Sequence, residues 1–225
     1  MITLQKLLSS SVHLGHYAKQ WNPKMRPYIY CEREKIHVID LLQTIICLEK
    51  ACRYLSNASK RKKNFLILFV GTKPEFSSII QECARNCNSY YVTERWLGGM
   101  LTNWFTMKSC LKKLEVLCEE QESNGNLDRL TKKESLANQK RKEKLEKYLS
   151  GIKDMKTLPD AVILVGQKED MNAVRECLKL KIPLITILDT NCDPDLTNFA
   201  IPANDDSVSS IGLILNTLSK AIAID

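Results

Sequence analysis

Residues 95–104, Arg-Trp-Leu-Gly-Gly-Met-Leu-Thr-Asn-Trp, set a cation, two indoles and a bendable glycine pair side by side, just ahead of a segment with helical spacing. Trp offers a flat stacking face, Arg a planar fork matched to phosphate, and paired glycines let backbone approach closely. Arg95 and Trp96 therefore suit a surface that grips a large, flat, negatively charged partner. They equally suit a Gly-hinged turn whose indoles, Trp96 and Trp104, plug the core. The motif alone leaves both readings open.

Further basic constellations strengthen the first reading. Lys19, Trp21, Asn22, Lys24 and Arg26 interleave cations with an aromatic ring and an amide. Aromatic rings stack on unpaired bases while Lys and Arg hold the backbone. Residues 132–147 carry seven Lys/Arg against three Glu, among them Lys132, Lys133, Lys140, Arg141 and Lys144. A solvated helix face is the ordinary meaning of such a run. Here it has no core to serve, which points to a phosphate-contacting surface. Lys108 and Lys112 lie on the preceding segment, and Lys73 follows an apolar run. Lys60–Lys63 serves equally as a soluble loop ahead of a strand.

Three kinds of chemistry compete with binding. Val70-Gly71-Thr72-Lys73 could cradle phosphate at a strand end, but neither GxxxxGK[ST] nor GxGxxG occurs. Asp189-Thr-Asn191-Cys-Asp193-Pro-Asp195 begins like a calcium loop. Pro194 then stands where such loops need Gly, and Ala200 where they need a bidentate Glu, so an Asx-rich turn is expected instead. His13 and His16 could share acid–base work, yet neither GxSxG nor HExxH accompanies them. The expectation is therefore a non-enzyme with no catalytic residues, no cofactor and no metal. The alternative is an α/β nucleotide-binding module or enzyme using strand ends at Gly71 and Asp189.

These residues must be positioned by an alternating chain. The pattern predicts a helix at 3–10, strands at Tyr28–Cys31 and Lys35–Ile39, and a helix over Leu41–Ala58. The continuously apolar Phe65–Val70 reads as a strand buried on both faces, the mark of a parallel sheet. A helix at 75–87 and a strand at Tyr90–Val92 follow; strands at Ala161–Val165 and Leu184–Leu188 alternate with helices at 169–179 and Ser207–Ala223. Between the halves, Met107, Leu111, Leu114 and Cys118 form a narrow apolar seam, Ser123-Asn124-Gly125-Asn126 breaks it, and a second helix spans about 131–149. The expected organisation is an α/β domain from 1–104 and 151–225, interrupted by a helical hairpin at 105–150.

The chain has 225 residues and a net charge of +7, unevenly spread. Residues 1–64 carry 12 Lys/Arg against 4 Asp/Glu, while residues 160–225 carry 5 against 10. A basic leading portion suits nucleic acid; an acidic final portion should face solvent or a basic protein. The leading residues lack the apolar core of a signal peptide, and the run Phe65–Val70 is too short to span a bilayer. Nine cysteines with no CxxC spacing are expected to be free thiols in a reducing compartment.

Taken in order, VHLGHYAKQWNPKMRPYIY, IHVIDL, ILFVGTK, RWLGGMLTNW, GIKDM with LPD, and DTNCDPDL with IPANDD resemble the bacterial-type uS-two family of small-subunit ribosomal proteins. The resemblance covers about residues 10 to 220. It implies a flavodoxin-like doubly wound parallel sheet with an inserted helical hairpin. It also implies binding to small-subunit rRNA and to neighbouring ribosomal proteins, including the large S-one type protein, with no membrane role and no homo-oligomer. Trp104 and the stretches RECLKLKIP and SIGLILNTL look plastid-like, which implies a ribosome of the chloroplast stroma, with the bacterial cytoplasm as the alternative. Ser11 stands where the family has Gly, so a less tight turn is expected there; Gly166 stands where an acidic residue is usual.

Overall fold

The computed structural model describes residues 3–122 and 132–222; the side chains of 119–122, 132–135 and 137 lie outside that description. The predicted break at Ser123–Asn126 and the hairpin tip fall outside the described residues.

Five parallel strands form the central sheet: β4 (Ile67–Val70), β5 (Tyr90–Val92), β6 (Ala161–Val165), β7 (Leu184–Leu188) and β8 (Phe199–Pro202), in the order β5-β4-β6-β7-β8. That order reverses direction of winding between β4 and β6, the flavodoxin-like pattern. Strands β4, β6 and β7 are buried along their whole length, as their unbroken apolar runs require. Alternate residues serve opposite faces. Ile67, Phe69, Ile163, Val165, Ile185 and Ile187 pack with α2 (Leu41–Arg61), α3 (Ser77–Asn86) and α7 (Val208–Ile222). Leu68, Val70, Val162, Leu164 and Leu184 pack with α6 (Met171–Leu180) and the near ends of α4 (Trp104–Glu122) and α5 (Lys132–Leu149).

Helices α4 and α5 pack against one another and lie in sequence between β5 and β6. The apolar seam of α4 explains where they meet the domain: Met107, Leu111 and Leu114 are buried, and so is Leu149 at the end of α5.

The first forty residues form α1 (Leu4–Ser9) and a small antiparallel sheet, β1 (Leu14–Tyr17), β2 (Ile29–Arg33) and β3 (Ile36–Ile39), in the order β1-β3-β2. This sheet sits at the carboxyl end of β7: Asn22 donates its backbone N–H to the Thr190 carbonyl at 2.8 Å, and Met25 is buried with Leu188 and Cys192. Helix α2 then starts on a cap supplied by Asp40, whose side chain accepts from Leu42 N–H at 2.9 Å.

Two strands lie outside the elements read from the sequence. Strand β1 holds Gly15 and has no buried residue, so it carries no alternation to read. Strand β8 is four residues ending in Pro202, a residue tolerated only at a sheet edge, which is where it lies. Ser11 adopts a left-handed backbone, φ 56°, which glycine takes without penalty, so the turn before the histidines carries backbone strain at this serine. Gly166 has φ +79°, so a left-handed backbone, not a missing contact, accounts for glycine there.

Candidate nucleic-acid interface

The turn at 95–103 resolves the opening ambiguity in favour of the core. Trp96 is only 6% exposed, and its indole N–H donates to Glu176 Oε1 at 3.1 Å. Backbone N–H groups of Gly99 (2.8 Å), Leu101 (2.9 Å) and Thr102 (2.9 Å) converge on the same carboxylate, as does the Thr102 hydroxyl at 3.1 Å. Of the two readings open for Trp96, the structure favours the core over stacking on a base: its ring is sealed in, and its polar edge is spent on Glu176. Arg95 remains exposed on the outside of this turn. Burial alone would raise the Glu176 carboxyl, but the donors from Thr102, Trp96, Leu101 and Gly99 override it and hold it below the ordinary glutamate value. Sequence reasoning passed over Glu176. The signal was available: a charged residue flanking the apolar stripe Ala173, Val174 and Cys177, and a glycine turn full of N–H groups without its own Asp cap.

The basic stretch at 19–26 divides. Lys19 and Arg26 are exposed, and Trp21 is 36% exposed with its ring edge-on to His37 at 5.3 Å. Asn22 is a helix cap, accepting from Lys24 N–H at 3.1 Å. Lys24 pairs with Asp193 at 2.9 Å and Asp195 at 2.8 Å, and Lys73 with Asp206 at 2.8 Å. Lys24 and Lys73 each already face a carboxylate, so a phosphate there would have to displace Asp193 and Asp195 or Asp206. Asp193 and Asp195 thus turn toward Lys24.

His13 and His16 part company. His16 Nδ1 lies 2.9 Å from Asp189 Oδ2, and its Nε2 lies 3.5 Å from Asp206 Oδ2; the bond to Asp189 raises its pKa. Among the described residues His16, Asp189 and Asp205 place one ligand atom each within 4.8 Å of one another. Asp205 is 3% exposed, and its Oδ1 has no hydrogen-bond partner. Burial, then the Asp189 charge, raises its carboxyl. One imidazole and two carboxylates suit a divalent ion such as Zn²⁺ or Mn²⁺, so these three residues could hold a metal that the sequence did not suggest. An ion bound there would stabilise the fold by about 2.7 kcal/mol at about 100 times its dissociation constant, so a Zn²⁺-dependent shift in chelator-treated protein would support the site and no shift would rule it out. Thermal unfolding measures this, and Asp205→Asn should remove the shift.

The strand ends offered as a nucleotide site are occupied by the protein's own groups. Thr72 N–H donates to Asp170 Oδ2 at 3.1 Å, and Gly71 N–H to the Val92 carbonyl at 3.1 Å. Burial raises Asp170 to about 6. The cleft here, about 600 Å³, is lined by Glu94, Glu169 and Asp170 against the single cation Arg95, a poor seat for phosphate.

Charge is instead sorted along the strand axis. Segments leaving the carboxyl ends (71–75, 93–95, 166–170, 189–195 and 203–206) hold nine Asp/Glu and three Lys/Arg. Segments entering the amino ends (60–66, 153–160 and 181–183) hold seven Lys/Arg and two Asp/Glu. Lys108 and Lys112 on α4, and Lys140, Arg141 and Lys144 on α5, are exposed near or beyond that basic end. Lys132 and Lys133 lie in α5, with side chains outside the described residues.

Residues 7–224 match the family model described as Ribosomal protein S2. The chain is 56% identical over 222 residues to the small ribosomal subunit protein uS2c of Euglena gracilis, covering 99% of this chain and 91% of that one. It is 53% identical to uS2 of Synechococcus sp. (strain JA-2-3B'a(2-13)), covering 99% and 83%, and 53% identical to uS2c of Trieres chinensis, covering 98% and 95%. With a family match spanning nearly every residue and relatives of this identity aligned from end to end, the chain belongs to the ribosomal protein S2 family.

Proposed function

We propose that this protein is a structural constituent of the small ribosomal subunit of a plastid, where it binds rRNA and neighbouring ribosomal proteins and supports translation without catalysing a reaction. The observation that carries this reading is 56% identity to a plastid-type relative over 99% of the chain. The mechanism is electrostatic. Exposed Lys19, Arg26, Arg95, Lys108, Lys112, Lys140, Arg141 and Lys144 neutralise phosphates, releasing condensed counterions. Lys132 and Lys133 extend the set along α5, and the exposed part of Trp21 offers a stacking edge. The acidic segments 189–195 and 203–206, poor seats for RNA, face protein partners; the large S-one type protein is one such partner. The chain acts as a single copy in the stroma. Among the described residues no helix is long and apolar enough to cross a membrane.

The nucleotide-binding or enzymatic alternative is not favoured, because the family is ribosomal and the strand ends at Gly71 and Asp189 already engage Val92 and His16. Sedimentation of tagged protein from isolated plastids tests the reading. Co-migration with small subunits is expected; a tagged chain found only at the top of the gradient would overturn it.

A further inference from the structure

The amino-terminal end of the sheet carries a groove of about 1040 Å³. One wall is α4, through Lys108 and Lys112; the other is the return segment, through Lys153 and Lys156. Lys62 stands at the rim but is tied to Asp160 at 2.6 Å. Among the described residues, the remaining four lysines have no carboxylate within ion-pair reach. Two acids, Glu115 and Asp154, also line the groove, so the cations outnumber them.

The floor is apolar and fixed. Leu111 and Met155 are buried, and the Tyr90 hydroxyl donates to the Asp154 carbonyl at 3.1 Å, which holds the ring in place. Lysines above an apolar floor with one aromatic ring can hold a charged backbone while giving sugars and bases a surface to lie on. The groove does not end at its own rim. Lys112 also lines a smaller hollow between the helices of the hairpin, together with Lys113 and Arg141. Because Lys112 belongs to both, the two form one track of positive charge from the sheet end onto the hairpin.

We infer that this groove is the seat of an rRNA strand, held through its phosphates by Lys108, Lys112, Lys153 and Lys156, with the strand continuing along the hairpin toward Arg141. The inference rests on the ribosomal reading above and goes beyond it by placing the contact at the amino ends of the strands. Open α/β sheets ordinarily bind ligands at the carboxyl ends. Here the segments leaving that end are acidic and are covered by the small antiparallel sheet, so the amino end offers the more cationic groove to a polyanion.

The test uses the full chain and naked small-subunit rRNA, with binding measured from 0.05 to 0.3 M salt. The variant Lys108→Gln/Lys153→Gln/Lys156→Gln is compared with Lys6→Gln/Lys50→Gln/Lys220→Gln, an equal charge loss on the opposite face. Both sets leave the core untouched, and thermal unfolding checks that they fold; Lys156→Glu alone serves as a milder second variant. The groove variant should bind at least about tenfold more weakly at 0.15 M salt, with a log–log salt slope shallower by about 2, since each single-strand phosphate contact contributes about 0.7. The opposite-face variant should stay within about twofold of the unaltered protein. If the two variants bind alike while the unaltered protein binds well, the groove assignment falls and the ribosomal reading stands. If the unaltered protein ignores rRNA, both fall. If polyglutamate of equal charge displaces the RNA as well as competitor RNA does, the groove is a peptide seat and the inference is overturned.

Discussion

Replacing Glu176 with alanine should lower the unfolding free energy by about 4 kcal/mol, more than any surface change in this protein. The carboxylate is 9% exposed and accepts five hydrogen bonds from one turn. Hydrogen bonds to a charged group contribute about 1.5–3 kcal/mol each, and every orphaned buried donor costs about 1–3 kcal/mol. The turn would relax and recover part of that loss, so the net falls well below the sum. For a chain of this size the change corresponds to a fall in Tm of roughly 10 °C. The pH dependence follows from the lowered pKa. Glu176 supplies its stability above the unfolded value, near 4.5, and loses it as pH falls through the lower folded value. Unaltered protein should therefore weaken below about pH 4.5 more steeply than Glu176→Ala. Loss of less than about 1 kcal/mol would show that the turn is held by packing alone.

Gly151→Ala should cost about 3 kcal/mol, for a different reason. A β-carbon on Gly151 would overlap the carbonyl oxygen and the ring of Tyr91, on edge strand β5. The carbonyl cannot retreat without moving the strand or the return segment, and such overpacking is costly even at this half-buried contact. Gly98 is the contrast. It sits in the conspicuous glycine pair, yet an added β-carbon meets nothing within 4 Å and no positive φ constrains it. Gly98→Ala should stay within about 0.5 kcal/mol of the unaltered protein. Denaturant unfolding of the two variants side by side decides this.

Glu176 and Gly151 hold the two legs of the hairpin. Glu176 fixes the turn that launches α4, and Gly151 lets the chain returning from α5 press against β5. Both are needed to keep Lys108 and Lys112 facing Lys153 and Lys156. A loss of RNA binding in either variant would then report displaced walls, with every groove lysine still present.

The framework was legible where burial is symmetrical. Ile67–Val70, Ala161–Val165 and Leu184–Leu188 are apolar without interruption because both faces are covered, and that pattern survives translation into sequence. Strand β8 was illegible because four residues ending in proline carry too little pattern. The interface was read less well than the fold. Trp96 shows why: the residue type is the same whether the ring stacks on a base or fills a core, and only its distance from Glu176, 80 residues away, separates the two. The surroundings of Lys24 and Lys73 were hidden in the same way, since their carboxylate partners lie 169 and 133 residues distant. Lys153 and Lys156 escaped notice because two scattered lysines form no motif until folding sets them opposite α4. Local pattern predicts elements; the surroundings of a cation depend on contacts that the local pattern does not contain.

Cross-linking the protein to rRNA inside assembled small subunits, then mapping the attached peptides, addresses the central claim most directly. Cross-links should concentrate on residues 108–112 and 132–156, at the cationic end of the sheet and on the hairpin, with fewer around 19–26 and Arg95 and none on 189–206. Cross-links gathered on 189–206, with the groove and hairpin bare, would contradict the whole electrostatic account.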